Sequence, residues 1–280
     1  MADIIRESNG VDIPLPTIDV RSAEPLQSTT SKGNQLKWYL EDKRLFVKGR
    51  FFTRDGCWKD YVVESLASKL GKQMGFKVIA QEMCQIQTNT HIYQGSCSKN
   101  FLQETEQFVT FHRMYRTLPY LEYPQDWFMF DAAKRIELAL NAYKKVTGLD
   151  MSDYLWQMIV IDLLVGNEDR HMNNFGVIYN TAQQQYRTAP LFDFGLGLFE
   201  HDARYTGLDL AHSIKAMRFK PFGIDQMKVY KTACEVFQRD LEGMPLNIEG
   251  LYFPSKKALD YFQYCCFQID IDLQGEGIII

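Results

Sequence analysis

The segment most informative about fold and chemistry reads Val165-Gly166-Asn167-Glu168-Asp169-Arg170-His171-Met172-Asn173-Asn174-Phe175, and beyond one predicted strand pair comes Asp193-Phe194-Gly195. It supplies a carboxylate at Asp169, an amide at Asn174 and a second carboxylate at Asp193. Phosphoryl transfer needs an Asp to orient the attacking hydroxyl and oxygen ligands to hold magnesium against the phosphates. Magnesium takes few protein ligands and keeps water and phosphate oxygens, so an Asn and an Asp on adjacent loops suit it. The alternative is a polar turn between a helix and two strands.

The order of these residues carries a family resemblance. Gly166 to His171 with Asn174, followed by Ala189-Pro190-Leu191-Phe192-Asp193-Phe194-Gly195, resembles the HipA-like bacterial serine/threonine kinases and is more distantly similar to phosphoinositide 3- and 4-kinases. As in both groups, and unlike most protein kinases, the Asp here precedes the Arg and the His. The resemblance extends more weakly from about Gly33 to about Gly223, and it implies that Asp169 is the catalytic residue and that Asn174 and Asp193 bind magnesium.

Length, net charge and cysteine spacing limit the classes of protein to which this chain can belong. A chain of 280 residues can bury a substantial core as one domain of two lobes or as two small domains. A net charge of -4 argues against bulk nucleic-acid binding, which requires a basic face, so we expect no direct nucleic-acid partner. The six cysteines show no metal-ligand spacing, which favours reduced thiols over a zinc site or a disulfide framework.

No segment of the sequence predicts membrane insertion. The N-terminus lacks the apolar core of a signal peptide, and no apolar run approaches the length of a membrane span. These features favour a cytoplasmic protein. The resemblance to short HipA-like kinases, some of which are secreted effectors, leaves a translocated effector as the alternative.

The sequence predicts an N-terminal arm over residues 1–27, where three prolines lie among polar residues without a sustained period. A small ATP-binding lobe is predicted over residues 28–98, beginning with a loop and a hairpin formed by Leu36–Leu40 and Arg44–Gly49. A strand over Phe76–Gln87 and a hinge at Gly95–Asn100 complete this lobe.

The loop before the hairpin is the predicted phosphate loop. Its Gly33-x-Gln35-x-Lys37 resembles the phosphate loop of HipA-like kinases, so Ser31, Gly33 and Gln35 are expected to contact ATP. Backbone N–H groups of such a loop can bind phosphate oxygens without particular side chains. A plain surface loop is the alternative. By the same resemblance Thr30, three residues before Gly33, is favoured among Ser28 to Ser31 as an inhibitory autophosphorylation site.

Lys48 lies at the end of an apolar strand, where its ammonium could contact the ATP phosphates and assist catalysis. The helix predicted over Lys59–Met74 follows, with apolar residues on one face and Gly75 after its last turn. Glu64, in its second turn, is the predicted partner of Lys48, as in the lysine–glutamate pair of kinases. The alternatives are a surface lysine and a solvated helix charge.

Residues 99–280 predict a larger, mostly helical lobe, which gives an α+β, two-lobed protein-kinase-like fold with a small antiparallel β lobe. The predicted helices are Thr105–Leu118, Trp127–Val146, Asp150–Val165, Asp225–Leu241 and Pro254–Ile271. A hairpin of Phe175–Tyr179 and Tyr186–Thr188 would carry Asn174 and lead to Asp193. Residues 196–223 show little periodicity and resemble an activation segment, and Gly277–Ile280 either forms an edge strand or is disordered.

Arg170 and His171 are the two residues that follow Asp169. His171 either shapes the catalytic loop, contacts the transferring phosphoryl group as a catalytic residue, or makes structural hydrogen bonds. For Arg170 the sequence alone assigns no role.

The function predicted from these features is an ATP- and magnesium-dependent kinase that phosphorylates Ser or Thr of a protein substrate and itself. The alternatives are a phosphoinositide kinase, a nucleotide-binding pseudokinase and an AMP transferase on the same fold. HipA toxins carry an extra module before the phosphate loop, whereas about thirty residues precede it here, so the resemblance leaves an antitoxin partner open.

Overall fold

A computed structural model of the protein describes residues 14–26, 35–50, 52–53, 56–119, 126–200 and 202–280. The predicted contacts of Ser31 and Gly33 and the predicted phosphorylation sites Ser28 to Ser31 lie outside these residues. The chain folds as a mixed α/β structure.

The strands are β1 (Thr17–Asp19), β2 (Lys37–Leu40), β3 (Leu45–Gly49), β4 (Phe52–Thr53), β5 (Gly56–Cys57), β6 (Gln81–Gln87), β7 (Ile92–Lys99), β8 (Glu106–Thr110), β9 (Gly176–Asn180), β10 (Gln185–Thr188), β11 (Pro245–Asn247), β12 (Tyr252–Phe253), β13 (Asp272–Gln274) and β14 (Ile278–Ile279). The α-helices are α1 (Asp60–Gln73), α2 (Phe111–Arg116), α3 (Ala132–Thr147), α4 (Ser152–Leu164), α5 (Leu210–Ala216), α6 (Gln226–Phe237) and α7 (Lys256–Gln268). Single 3-10 turns are formed by Trp127–Met129 and Ala203–Tyr205.

Strands between Thr17 and Lys99 form a five-stranded sheet in the order β1-β6-β7-β3-β2. Strand β1 pairs in parallel with β6, and the other pairs are antiparallel. Residues 17–19, which the sequence assigns to a surface arm, therefore belong to the sheet. Three residues are too few to show a period of two, so local sequence gave no signal for this strand.

The hinge predicted at Gly95–Asn100 is wrong. Gly95 lies inside β7, the central strand between β3 and β6. A side chain at this position would place its Cβ 2.1 Å from the Lys48 carbonyl oxygen, so the glycine allows close packing of two strands rather than a bend between lobes. The chain leaves the sheet after Lys99.

The helix predicted over Thr105–Leu118 is also only partly present. Residues 106–110 form β8, which joins the β9–β10 hairpin in a three-stranded sheet. Helix α2 starts only at Phe111, where the Thr110 hydroxyl accepts a hydrogen bond from the Arg113 backbone N–H and caps the first turn.

The remaining helices predicted from apolar spacing are confirmed, with ends shifted by a few residues. Helix α3 begins after Asp131, whose carboxylate accepts a hydrogen bond from the Lys134 N–H, and ends at Gly148 in the left-handed conformation. Helix α4 is buried on nearly every side. Residues 196–223 are more regular than predicted, since they contain the Ala203–Tyr205 turn and α5.

Of the two alternatives for Gly277–Ile280, an edge strand or disorder, the structure shows the strand, because β14 pairs with β12. Among the helices of the described residues, none combines the length and the hydropathy needed to cross a lipid bilayer.

Candidate active site

A lysine held between two carboxylates lies where β3, α1 and the Asp193 loop meet. The Lys48 Nζ is 3.0 Å from Oε1 of Glu64 and 3.1 Å from Oδ1 of Asp193. Glu64 is only 3% exposed, and its other oxygen accepts a hydrogen bond from the Phe194 N–H at 3.1 Å. The predicted Lys48–Glu64 pair is therefore formed, and Glu64 also holds the backbone beside Asp193.

The charges of this triad stabilise one another. Burial raises the pKa of Asp193, but the Lys48 ammonium outweighs it, and the pKa falls to about 2. Burial lowers the pKa of Lys48, yet the two carboxylates leave it raised overall. Asp193 also has φ 64°, a left-handed conformation that is costly for a residue with a side chain. The structure thus strains its backbone to present an ionised carboxylate.

Arg170 connects the loop of residues 166–175, the candidate catalytic loop, to α4 and to the Asp193 segment. The guanidinium is 1% exposed and donates to both carboxylate oxygens of Asp162, with Nε 2.9 Å from Oδ2 and Nη2 2.9 Å from Oδ1. Its Nη1 donates to the carbonyl oxygens of Asn174 and Phe192, at 3.0 and 2.7 Å. One buried side chain therefore fixes the backbone at Asn174 and at Phe192, directly before Asp193. Although burial lowers the pKa of Arg170, Asp162 leaves it raised, so the guanidinium stays charged.

Sequence reasoning missed the role of Arg170, although a signal was present. Asp162 interrupts the apolar run Met158-Ile-Val-Ile-Asp-Leu-Leu164, and a carboxylate buried in a helix requires a charged partner.

The side chain of Asn174 is oriented by the loop itself. Its Nδ2 donates to the Asp169 carbonyl oxygen at 3.2 Å, so the amide oxygen is the atom available to a cation. His171, the other predicted loop residue, accepts a hydrogen bond at Nδ1 from the Asn173 N–H at 3.3 Å. This contact fits the structural role for His171.

Two further groups that the sequence did not predict lie around Asp169. The Lys220 Nζ is 2.6 Å from Asp169 Oδ1. The neighbouring Glu168 is buried, and it accepts hydrogen bonds from Arg204 Nη2 at 2.8 Å, from the Arg218 backbone N–H at 2.5 Å and from the Tyr205 hydroxyl. The segment after Gly195 is thus tied to the catalytic loop.

Two residues of the predicted phosphate-loop motif are described. Gln35 donates through Nε2 to Oδ2 of Asp60, the first residue of α1, at 2.7 Å. Lys37 lies directly opposite Lys48 in the β2–β3 register, and desolvation together with the Lys48 ammonium lowers the pKa of Lys37. Two neighbouring ammonium groups favour an anion between or beside them.

Half-buried aromatic rings surround the residue before Asp193. The Phe192 ring centroid is 5.7 Å from that of Phe101 and 5.3 Å from that of Phe108. Such a cluster offers an apolar surface for a flat ring, next to the Lys48–Asp193 pair.

The side-chain oxygens of Asn174 and Asp193 suit magnesium, which keeps water and phosphate ligands, better than they suit a metal ion that is bound by protein ligands alone. In the described ranges, no group of three or more His, Cys, Asp or Glu residues is placed to hold a metal ion by itself. One carboxylate and one amide oxygen match the few protein ligands that magnesium takes when phosphates and water complete its octahedron.

Comparison with known proteins places this site in a family. Residues 32–244 match the model described as the HipA-like C-terminal domain, a range that includes Lys48, Glu64, Asp169, Asn174 and Asp193. The chain belongs to this family.

Among the relatives of the chain is the serine/threonine-protein kinase CtkA of Helicobacter pylori. It is 27% identical over 197 residues, which are 66% of this chain and 57% of CtkA. The chain therefore spans little more than half the length of this curated relative.

Solved structures extend the comparison to the fold. The crystal structure of the Helicobacter pylori proinflammatory kinase CtkA superposes with a TM-score of 0.50 and 22% identity, over 71% of this chain and 66% of that one, which shows a similar fold. The Shewanella oneidensis complex of HipA, HipB and operator DNA aligns over 92% of this chain and 67% of that one, at 12% identity and a TM-score of 0.36, and no argument rests on it.

Proposed function

We propose that this protein is a two-lobed, ATP- and magnesium-dependent kinase that transfers the γ-phosphoryl group to Ser or Thr hydroxyls of a protein. The observation that carries the proposal is the contact of Lys48 with both Glu64 and Asp193. It joins the half-buried ammonium of Lys48 to the buried carboxylate of Glu64 and to the ionised carboxylate of Asp193, which is the arrangement that kinases use to hold nucleotide phosphates and metal. The similarity to CtkA, which is named a serine/threonine-protein kinase, supports a kinase-like phosphotransferase.

In this proposal the nucleotide lies between the sheet and the catalytic loop. Lys48 and Lys37 contact phosphate oxygens, Gln35 and the residues before it line the phosphate loop, and the aromatic cluster around Phe192 packs against the adenine ring. When bound, magnesium neutralises phosphate charge, and the residues that hold it are Asn174 and Asp193. Arg170 holds these two ligands in position through its hydrogen bonds to the carbonyl oxygens of Asn174 and of Phe192, the residue before Asp193.

Asp169 acts on the acceptor. Its carboxylate accepts a hydrogen bond from the Ser or Thr hydroxyl and takes the proton as the hydroxyl oxygen bonds to the γ-phosphorus. The bond between the γ-phosphorus and the bridging oxygen to the β-phosphate breaks, and ADP leaves. The proton on Asp169 then passes to solvent.

The first test replaces the group that touches the acceptor. Asp169→Asn should abolish transfer, by about 1,000-fold or more on the scale of removing a group that stabilises the transition state, while the affinity for magnesium-ATP is retained. Intact-mass spectrometry after incubation with ATP and a panel of protein acceptors measures transfer, and calorimetry measures binding. Undiminished turnover in this variant would overturn the assignment of Asp169.

The same mass measurement separates the alternatives. A phosphoryl adduct supports the kinase, an adenylyl adduct indicates an AMP transferase, and ATP binding without any adduct indicates a pseudokinase. Transfer to phosphoinositide vesicles but to no protein would indicate a lipid kinase.

The second test addresses the metal. Asp193→Ala should remove the magnesium-dependent part of nucleotide affinity, because the site then keeps a single amide oxygen as its protein ligand. Titration of ATP with and without magnesium measures this part directly. If magnesium still tightens ATP binding to the variant as much as to the wild type, Asp193 is not a ligand.

A further inference from the structure

We infer that Lys220 is a further catalytic residue, which orients Asp169 and contacts the phosphoryl group during transfer. The inference rests on the proposed function and deepens it. Its observation is that the Lys220 Nζ lies 2.6 Å from Oδ1 of Asp169, although the two residues are far apart in the sequence. Neither the motif around Asp169 nor any local pattern in the sequence points to this lysine.

The backbone on both sides of Lys220 is firmly anchored. On the C-terminal side, the Pro221 carbonyl oxygen accepts hydrogen bonds from Trp127 Nε1 at 2.8 Å and from Arg135 Nη1 at 2.9 Å, and the buried Phe222 ring packs on Trp127. The structure therefore builds a fixed position for this lysine from elements distant in sequence.

On the N-terminal side, the anchor is the catalytic loop itself. The Arg218 backbone N–H donates to Glu168 Oε1, on the residue directly before Asp169. Because Lys220 and Asp169 are held by adjacent anchors, the ion pair belongs to one rigid arrangement and does not depend on a swinging loop.

Stability does not account for the ion pair. The Lys220 and Asp169 side chains are 40% and 35% exposed, and pairs at this exposure contribute little to folding because water and salt screen them. An ammonium on an anchored backbone, placed beside the carboxylate that receives the acceptor hydroxyl, is explained better by chemistry than by folding.

The negative charge on the transferring phosphoryl group explains the position of the Lys220 ammonium. An ammonium has three N–H donors, and the contact with Asp169 uses one. The attacking oxygen must lie within a hydrogen bond of Asp169 and about 3–3.5 Å from the γ-phosphorus, so the phosphoryl oxygens come within reach of Lys220. Lys48 and the metal ligands act on the nucleotide side, and Lys220 supplies positive charge on the acceptor side.

The opposite role would be inhibition, in which the ammonium occupies the position of the acceptor hydroxyl. Oδ1 of Asp169 carries the Lys220 contact, which leaves Oδ2 for an acceptor. The two roles predict opposite changes in turnover when the charge is removed.

The experiment compares Lys220→Met with Lys220→Arg, and uses Lys231→Met on the exposed face of α6 as the matched control. Turnover is measured with ATP and acceptor. Independently of turnover, the affinity for magnesium-ADP is measured with and without fluoroaluminate, which imitates the phosphoryl group in transfer. Melting temperatures confirm that each variant is folded.

For Lys220→Met we expect turnover to fall by about 100-fold, as when a donor to the transition state is removed. Affinity for magnesium-ADP should be unchanged, and the tightening by fluoroaluminate should be lost. Lys220→Arg should retain part of the turnover and part of the fluoroaluminate tightening. Lys231→Met should retain both at the wild-type level. A merely structural lysine would not lose fluoroaluminate tightening while keeping ADP affinity.

Other outcomes overturn the inference. Unchanged turnover and unchanged fluoroaluminate tightening in Lys220→Met would remove Lys220 from the reaction, and increased turnover would show an inhibitory contact. If the wild type neither transfers phosphate nor binds fluoroaluminate with ADP, the proposed function fails and this inference fails with it. An active wild type with an equally active Lys220→Met variant refutes the inference alone.

Discussion

At the level of single residues, Lys48 resolves the repulsion between two carboxylates. The side chain of Glu64 is 4% exposed and that of Asp193 is 40% exposed, and the Lys48 ammonium lies about equally far from both. Removing one partner of a buried ion pair costs about 3–5 kcal/mol, because the other charge is left without compensation. Most of this cost would come from Glu64, which water cannot reach.

Replacing Lys48 with Met should therefore destabilise the fold by about 3 kcal/mol at neutral pH. The difference should also depend on pH. The folded-state pKa of Asp193 is lowered to about 2, below its value of about 4 in the unfolded chain, so the stabilisation that Lys48 gives Asp193 is complete above pH 4 and is lost as the pH falls to 2. Urea unfolding of wild type and variant from pH 7 to pH 2 measures the gap, which should narrow below pH 4. A constant gap would contradict the coupling of Asp193 to Lys48.

The sequence predicts some of these residues and not others for a physical reason. Lys48, Glu64 and Asp193 each stand at a recognisable place in a strand, a helix or a short motif. For Arg170 the signal is Asp162, a carboxylate within the apolar helix α4 and only eight residues earlier. The importance of Lys220 depends on Asp169, about fifty residues earlier, which reaches it only in the folded chain. Local pattern can name a residue type, but it cannot show which long-range contact that residue completes.

At the level of elements, the segment between Gly195 and α6 is organised by one buried carboxylate. Glu168 accepts hydrogen bonds from Arg204, Tyr205 and the Arg218 backbone, which lie at the two ends of the region that contains α5. Burial and the Glu168 carboxylate both raise the pKa of Tyr205, so the phenol stays protonated and remains a donor. The segment and the catalytic loop should consequently move as one unit.

Glu168→Gln should release this segment without unfolding the helices behind it. Hydrogen bonds to a charged acceptor contribute about 1.5–3 kcal/mol each, and the amide keeps the shape of the side chain but loses its charge. Hydrogen–deuterium exchange should accelerate over residues 202–218 and stay unchanged in α4. Tyr205→Phe removes a single donor and is the matched control, with a smaller increase. Uniform acceleration across α4 would instead show that Glu168 supports the whole core.

Element prediction succeeded where burial follows a helical period and failed where long-range pairing decided the structure. Helices α1, α3 and α4 were predicted within a few residues because one or more of their faces are continuously apolar. Strand β8 carries Phe108 and Val109, which continue the apolar spacing of α2, and only pairing with β9 makes it a strand. The misassigned hinge at Gly95 shows the same limit, since the glycine is required by a neighbouring strand.

At the level of the whole molecule, α1 joins the five-stranded sheet to the helical part. Its residues Val63, Leu66 and Leu70 belong to the largest core cluster, together with side chains of α3, α4, α6 and α7. A separate cluster built around Trp38 and Val47 lies within the sheet. Tyr61 and Val62 of α1 also form a small cluster with Met83 of β6. The sheet therefore loses one of its supports if the helical core unfolds.

We therefore expect the sheet and the helical part to unfold in a single transition. Incorporation of 5-fluorotryptophan gives separate fluorine resonances for Trp38, in the sheet cluster, and Trp156, on α4, and both should lose native intensity at the same urea concentration. Leu66→Ala, which removes α1 packing from the helical core, should cost about 2–5 kcal/mol and lower both midpoints equally. Phe267→Ala, on a side chain that is 81% exposed, should leave both midpoints unchanged. If Trp38 reports unfolding before Trp156, the sheet folds independently, and α1 does not couple the two parts as its buried contacts imply.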